Sequence, residues 1–361
     1  MIRTTIAFAV ALAAFASPAL AQDGMKKGDP DLKSVGPLAF APGGVLLVGD
    51  PAGAAVFAIA TEDVSGDPEK VKLDVPAIDE KIAAALGTSP SDMLIHDLAV
   101  NPASGNAYLS ISRGRGPAAT PVLVRVDGAG KISEVPLKNV SFCKASLPNP
   151  PAAGGDGKNS ARSEAITDLA WVEGRVIVAG LSNEEFASNL RAIPYPFRDA
   201  DTGAAVEIFH GAHGKFETRS PVRTFTVYTV GKQTQVLAAY TCTPLVRFSL
   251  DELKPGAKVR GTTVAELGNR NRPLDMIVYQ QGGKDFLLLT NSSRGVMKIS
   301  TDGIDSNKGI TERISDKAGQ TYETIASLEG VTELDRLNKG NAVILARAKG
   351  GPLNLQTIPL P

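Results

Sequence analysis

The sequence predicts an all-β protein, a β-propeller of six four-stranded blades. Three observations carry this. A short motif recurs as Gly36-Pro37-Leu38-Ala39-Phe40, His96-Asp97-Leu98-Ala99-Val100, Thr167-Asp168-Leu169-Ala170-Trp171 and Leu274-Asp275-Met276-Ile277-Val278. Each copy is followed by a turn and a pair of short apolar strands. Such strand pairs return along the whole chain at a period of roughly 40–70 residues, the spacing of propeller blades.

The pairs can be taken in order. Val45–Asp50 turns at Pro51–Gly53 into Ala55–Ile59, and Ala107–Ile111 leads through a Gly-rich loop into Val122–Val126. Arg175–Ala179 passes Ser182–Glu185 to Leu190–Ile193, and Val236–Tyr240 crosses Thr241–Pro244 into Leu245–Phe248. Phe286–Thr290 turns at Asn291–Gly295 into Val296–Ile299, and Ala342–Ala346 turns at Lys349–Gly351 into Leu353–Gln356. Short β-branched runs bounded by Gly, Pro, Asn and Asp read as strands. The last unit ends at Pro361 after three strands, so an N-terminal strand, near Leu32–Val35, is expected to close the ring. A seventh blade would have to hide in the connectors. Three of these are long: 77–92, with a short amphipathic helix; 139–163, rich in Pro, Gly, Asn and Ser and read as an irregular loop; and 194–220, with one strand and a Gly/His loop. Long ordered loops on a rigid scaffold are where function concentrates.

Residues 1–21 read as a signal peptide: Arg3, an apolar run from Ile6 to Phe15, and Ala19-Leu20-Ala21 before Gln22. The run is too short to span a bilayer. Residues 22–361 are then a single exported propeller domain, periplasmic or secreted, with no membrane span and expected to be a monomer. Lys+Arg and Asp+Glu balance at 38 each, which argues against nucleic acid as a partner. In an exported chain the two cysteines, Cys143 and Cys242, predict one structural disulfide.

Strands of a blade alternate direction, so the connectors between blades and the turns between second and third strands open on one face. His96, His210, His213, Cys143 and Cys242 map there, with Asp97, Asp168 and Asp275 at strand entries. Three site chemistries follow. Imidazoles suit copper or zinc, and His210-Gly-Ala-His213 with His96 offers a ligand set. Asp97, Asp168 and Asp275 could ring the channel mouth around a hard cation such as Ca²⁺, or each could accept backbone N–H bonds and lock an inter-blade turn. Glu164, Asn183, Glu184, Glu185, Arg191, Asn291 and Arg294 supply acid, amide and guanidinium groups for a small ligand, or are solvated loop charges. The expected cofactor is one divalent cation (Ca, Cu or Zn).

Absences narrow the field. There is no GxSxG elbow and no P-loop, so no nucleotide is expected. No CxxCH appears, so no covalent haem is expected. The single tryptophan, Trp171, is too few for Trp-docked quinoprotein blades. No sialidase Asp-box, WD or kelch signature occurs.

The blade pattern, with hairpins such as Leu-Thr-Asn-Ser-Ser-Arg-Gly-Val-Met-Lys-Ile at 289–299, resembles the broad NHL/YVTN and lactonase-like group of exported propellers. That resemblance implies a divalent cation at the channel mouth, held by acidic and amide side chains; Glu164, Asp168, Asn183, Asp275 and Asn291 are the counterparts by position type. Three functions are therefore expected in order: a periplasmic propeller that binds a small ligand, a metal ion or a partner protein; a metal-dependent lactonase-like hydrolase; and a copper-handling protein.

Overall fold

The computed structural model describes residues 22, 24–154, 160–231, 233–242, 244–347 and 349–361. Residues 1–21, expected from the sequence to be a signal peptide, lie outside the described residues. The chain forms six antiparallel blades. Numbered by their first strands, blade 1 is Leu38–Ala41, Val45–Asp50 and Ala55–Ala60, and blade 2 is Met93–Val100, Ala107–Arg113, Thr120–Val126 and Ile132–Glu134. Blade 3 is Asp168–Val172, Arg175–Leu181, Ser188–Pro194 and Ala204–His210. Blade 4 is Thr224–Val230, Gln233–Ala239, Pro244–Ser249 and Thr262–Leu267. Blade 5 is Pro273–Gln281, Lys284–Asn291, Gly295–Ser300 and Tyr322–Thr324, and blade 6 opens with Val331–Arg336, Asn341–Arg347 and Leu353–Pro359.

The fourth strands of blades 1 and 6 come from elsewhere in the chain. Val140–Ser146, after blade 2, completes blade 1, and Asp74–Val75, after the third strand of blade 1, completes blade 6. The stretch expected as an irregular loop at 139–163 therefore holds a blade strand. The N-terminal strand, Lys26–Gly28, adds to the outside of blade 1 rather than closing blade 6. Leu32 and Val35 are buried in irregular chain, whose Lys33 and Ser34 N–H groups donate to Asp50 at 2.8 Å each.

This exchange sets an unexpected ring order: 2–1–3–4–5–6, with blade 2 between blades 1 and 6. The cores show it directly. Leu98, Leu109 and Val124 of blade 2 pack with Val343, Leu345 and Leu355 of blade 6 around the helix Ile78–Ala85. On its other side blade 2 places Ala99, Tyr108 and Leu123 against Leu46, Val48 and Phe57 of blade 1. Blades 1 and 3, 3 and 4, 4 and 5, and 5 and 6 share the remaining cores. At ~1.5–3 kcal/mol for each fully buried Val, Leu or Ile, these interfaces dominate the fold's stability. Buried carboxylates tie down the segments that cross between blades. Asp63 accepts from Ser104 Oγ (2.8 Å), Asn106 Nδ2 (3.0 Å) and Tyr108 OH (2.9 Å), and Asp79 joins the helix to Arg347 at 2.8 Å.

The expected disulfide is not formed. Cys143 is buried in the middle of Val140–Ser146, and Cys242 sits in the turn between the second and third strands of blade 4; both are free thiols. Blade 3 lies between the blades that carry them, and a disulfide needs Cα atoms within about 7 Å. No helix among the described residues is long and apolar enough to cross a membrane.

Replacing Asp63 with alanine leaves the buried Ser104 and Tyr108 hydroxyls and the half-buried Asn106 amide without their acceptor. The expected loss is about 2–4 kcal/mol in urea unfolding, and a loss below about 0.5 kcal/mol would show that the crossing does not depend on this carboxylate.

Candidate functional site at the channel mouth

The innermost strands begin on one face, called here the upper face. Four aspartates on them act as clasps. Each takes the N–H of the next residue on one oxygen and an N–H of the neighbouring blade on the other. Asp97 accepts from Leu98 (2.8 Å) and Leu38 (2.5 Å), Asp168 from Leu169 and Phe225 (2.7 Å each), and Asp275 from Met276 (2.7 Å) and Leu334 (2.8 Å). Asp335 does the same with Arg336 (2.6 Å) and Val100 (2.7 Å). The turn-locking role is thus real for all three aspartates that the sequence singled out, and Asp335 is a fourth that it did not.

The clasps do not exhaust the site. Asp97, Asp275 and Glu333 each offer an oxygen within 4.8 Å of the others. Each of the three follows a register shift in its strand, between Ile95 and Asp97, Pro273 and Asp275, and Val331 and Glu333. Bulges re-aim side chains at sites, and here three point to one place on the axis. The ring order makes them neighbours, since blades 5, 6 and 2 are consecutive. Glu333 occupies in blade 6 the position of Asp97 in blade 2. Its carboxylate has no hydrogen bond or ion pair to another described residue, so it is the uncommitted member. The signal for it was Thr332-Glu333-Leu334, a fifth copy of the recurring inner-strand motif with Glu in the acid position.

These carboxyls lie between two spaces. Above is a funnel of about 740 Å³, lined by His96, Ser112, Arg162, Glu164, Arg223 and Arg272 among others. Below is a channel of about 600 Å³ that reaches Glu69, Asn338 and Lys339 at the lower face. Asp97, Asp168 and Asp275 line both. All of them are half-buried, reached from the axis. Burial first, and then their neighbours' charge, pushes Asp97, Asp275 and Glu333 well above the carboxylate range. For Asp97 those neighbours are Asp275 and Asp168, and for Glu333 they are Asp275, Asp97 and Asp168. Burial also lifts Asp168 to about 7 and Asp335 to about 6 against their backbone hydrogen bonds. Crowded carboxyls of this kind need protons or a cation. A donor set of carboxylate oxygens suits a hard divalent ion.

The funnel wall has the opposite sign. Arg223 pairs with Glu164 at 2.5 Å, and Arg162 donates to the Pro151 (2.6 Å) and Ala52 (3.2 Å) carbonyls. The exposed Arg272 guanidinium has no partner among the described residues. His96 sits at the bulge of blade 2 with Nε2 2.7 Å from Ser112 Oγ; its surroundings, and then Arg115, hold it below the ordinary histidine range.

The other expected site residues lie elsewhere. His210 and His213 form a separate cluster with Glu217 at the outer edge of blade 3, away from His96. Asn183 and Glu185 are exposed in a turn, with Glu185 paired to Lys258 at 3.2 Å, and Glu184 accepts from Asn149 at 3.2 Å. Arg191 is fully buried inside blade 3, where burial lowers it to about 10. Asn291 is buried and bonded to Asn271 at 2.8 Å, and Arg294 donates to the Asn269 carbonyl at 3.1 Å. Of the expected small-ligand set, only Glu164 borders the funnel.

Because the axial carboxyls are raised, the folded state binds protons that the unfolded chain does not hold between the ordinary carboxylate range and about pH 7. Their contribution is full at low pH and is lost as pH rises through about 6 and about 7. In cation-free protein, thermal unfolding should therefore move to lower temperature between pH 5 and pH 8, and Asp168→Asn should flatten that slope. An equally steep slope in the variant would remove Asp168 from the groups that set it.

No family model matches the chain, and no curated protein is similar to it. Solved structures are similar at low levels. The PQQ-bound aldose sugar dehydrogenase of Streptomyces coelicolor is 11% identical with a TM-score of 0.35, covering 92% of this chain and 96% of that one. Hydrazine synthase of Kuenenia stuttgartiensis is 11% identical with a TM-score of 0.35, covering 92% of this chain and 97% of that one. The propeller assignment stands on the strand pairing described above.

Proposed function

We propose that this propeller is an exported binding protein that holds a divalent cation, calcium by donor type, at the channel mouth and uses it to anchor a small anionic ligand in the funnel above. The convergence of Asp97, Asp275 and Glu333 within 4.8 Å supports this most strongly. Asp97 and Asp275 are fixed by backbone bonds, so little ordering is left to the ion, and Glu333 supplies the free carboxylate. A carboxylate-bearing ligand would bridge the ion and the unpartnered Arg272, with Arg223 and Arg162 behind it. Guanidinium groups match carboxylates bidentately.

A hydrolase reading of the same site draws on one further observation. Asp168, held near 7, lies beside the cation position. A carboxyl poised there can move a proton at neutral pH, and a cation can polarise a carbonyl or activate water. Slow turnover of lactones by calcium-loaded protein, lost in Glu333→Gln, would place the protein in that class.

Calorimetric titration of metal-free protein with Ca²⁺ at low ionic strength should show one site. Glu333→Gln should weaken it at least tenfold while leaving the fold intact, because no structural hydrogen bond is removed. With calcium present, a panel of small hydroxy-carboxylates should yield a ligand whose affinity drops about tenfold in Arg272→Ala, the loss of one charged hydrogen bond. Absence of divalent-cation binding by the wild-type protein would overturn the reading.

A further inference from the structure

We propose a second metal site, of the zinc and copper class, at the outer junction of blades 3 and 4, built from His210, His213 and Glu217. The last strand of blade 3 ends at His210, turns through Gly211–Gly214 and pairs back on itself, with His210 opposite Lys215 and Ile208 opposite Glu217. The His213 and Gly214 N–H groups both donate to the His210 carbonyl, at 3.1 and 2.8 Å. This hairpin brings the two imidazoles to 3.8 Å between centroids, tilted by 36°. It also sets His210 Nδ1 3.1 Å from one oxygen of Glu217 and His213 Nδ1 2.6 Å from the other. The three residues offer ligand atoms within 4.8 Å of one another.

Two nitrogens and a carboxylate oxygen select transition metals over calcium. Ligand bonds of about 2.0–2.2 Å fit a set this compact.

Independent evidence comes from buried atoms left without partners. His210 is 3% exposed, and its Nε2 has no hydrogen bond. Glu266, in the last strand of blade 4, is 1% exposed; it takes the Gly211 N–H at 2.5 Å on one oxygen and leaves the other unpartnered. A buried polar atom that loses water without gaining a protein partner is unfavourable, so such pairs call for an explanation. Metal-bound histidines donate their second ring N–H to a carboxylate or carbonyl, and Glu266 stands against the histidine turn as a candidate for that role. His213, at 46% side-chain exposure, leaves the site open on one side for a fourth ligand. The turn is strapped to blade 4 by Glu266 and by Thr263 Oγ1 on the Phe209 carbonyl (2.6 Å), and to the connector between the third and fourth strands of blade 5 by the Ile314 N–H on the Gly211 carbonyl (2.9 Å). A metal here would therefore brace the junction of the two blades as well as hold an exchangeable ligand.

The test uses full-length protein without a histidine tag, stripped of metal and titrated with Zn²⁺ by calorimetry and with Co²⁺ by visible absorption. We expect one equivalent of each, cobalt d–d bands of four-coordinate intensity, and a higher unfolding temperature with zinc. Ligand loss should cost more than the ~10–100-fold that a supporting residue costs, in both Glu217→Gln and the half-exposed His213→Ala, the variant least able to disturb folding. Glu333→Gln should leave zinc binding unchanged, which separates this site from the channel mouth. Wild-type protein that binds no zinc or cobalt, or binding that survives His213→Ala and Glu217→Gln at full affinity, would overturn the proposal.

Discussion

The structure depends on one repeated contact: an aspartate on an innermost strand that takes an N–H from the neighbouring blade. Innermost strands of a propeller have no partner strand on the axis side, so the N–H groups that open there lack a sheet acceptor. Asp97, Asp168, Asp275 and Asp335 supply the acceptor side by side-chain reach across four of the junctions. Asp97 and Asp335 do so on the two sides of blade 2, the blade placed out of sequence, and so help to fix it between blades 1 and 6.

That contact has an electrostatic consequence. Clasps built from carboxylates gather negative charge on the axis, where solvent is restricted. Blade 1 carries Pro37 and blade 4 carries Thr224 at the equivalent position, so the charge is not uniform round the ring. It concentrates on blades 5, 6 and 2, where bulges turn Asp275, Glu333 and Asp97 together. A site that already spends its hydrogen-bonding capacity on closure leaves one free carboxylate, and that asymmetry is what supports the cation site proposed there. The guanidinium groups above it give the funnel two ends of opposite sign.

The blades themselves were legible in the sequence because their second and third strands are continuous apolar runs between turn residues; Val45–Asp50 and Phe286–Thr290 could be little else. The ring order was not. It depends on Asp74–Val75, two residues long, and on Val140–Ser146, which carries Ser, Cys and Lys among its apolar residues and sits beside a Pro/Gly-rich stretch. Neither has a periodicity long enough to read. The axial aspartates were visible as a repeat, but Glu333 was hidden by the replacement of the acid type and by the second acid two residues on. The His210–His213 pair could be seen in the chain, whereas its third member, Glu217, is brought in only by the hairpin. Chemically attractive loop residues such as Arg191 and Asn291 proved to be interior, because position type along a blade does not report burial.

Bulges in three blades aim three carboxylates at one point in the channel, where an ion can replace protons. Crystals soaked with Mn²⁺ or Tb³⁺ test it most directly through anomalous scattering. A peak is expected within bonding distance of Asp97, Asp275 and Glu333. Crystals in which these side chains point apart and no peak appears between them would contradict it.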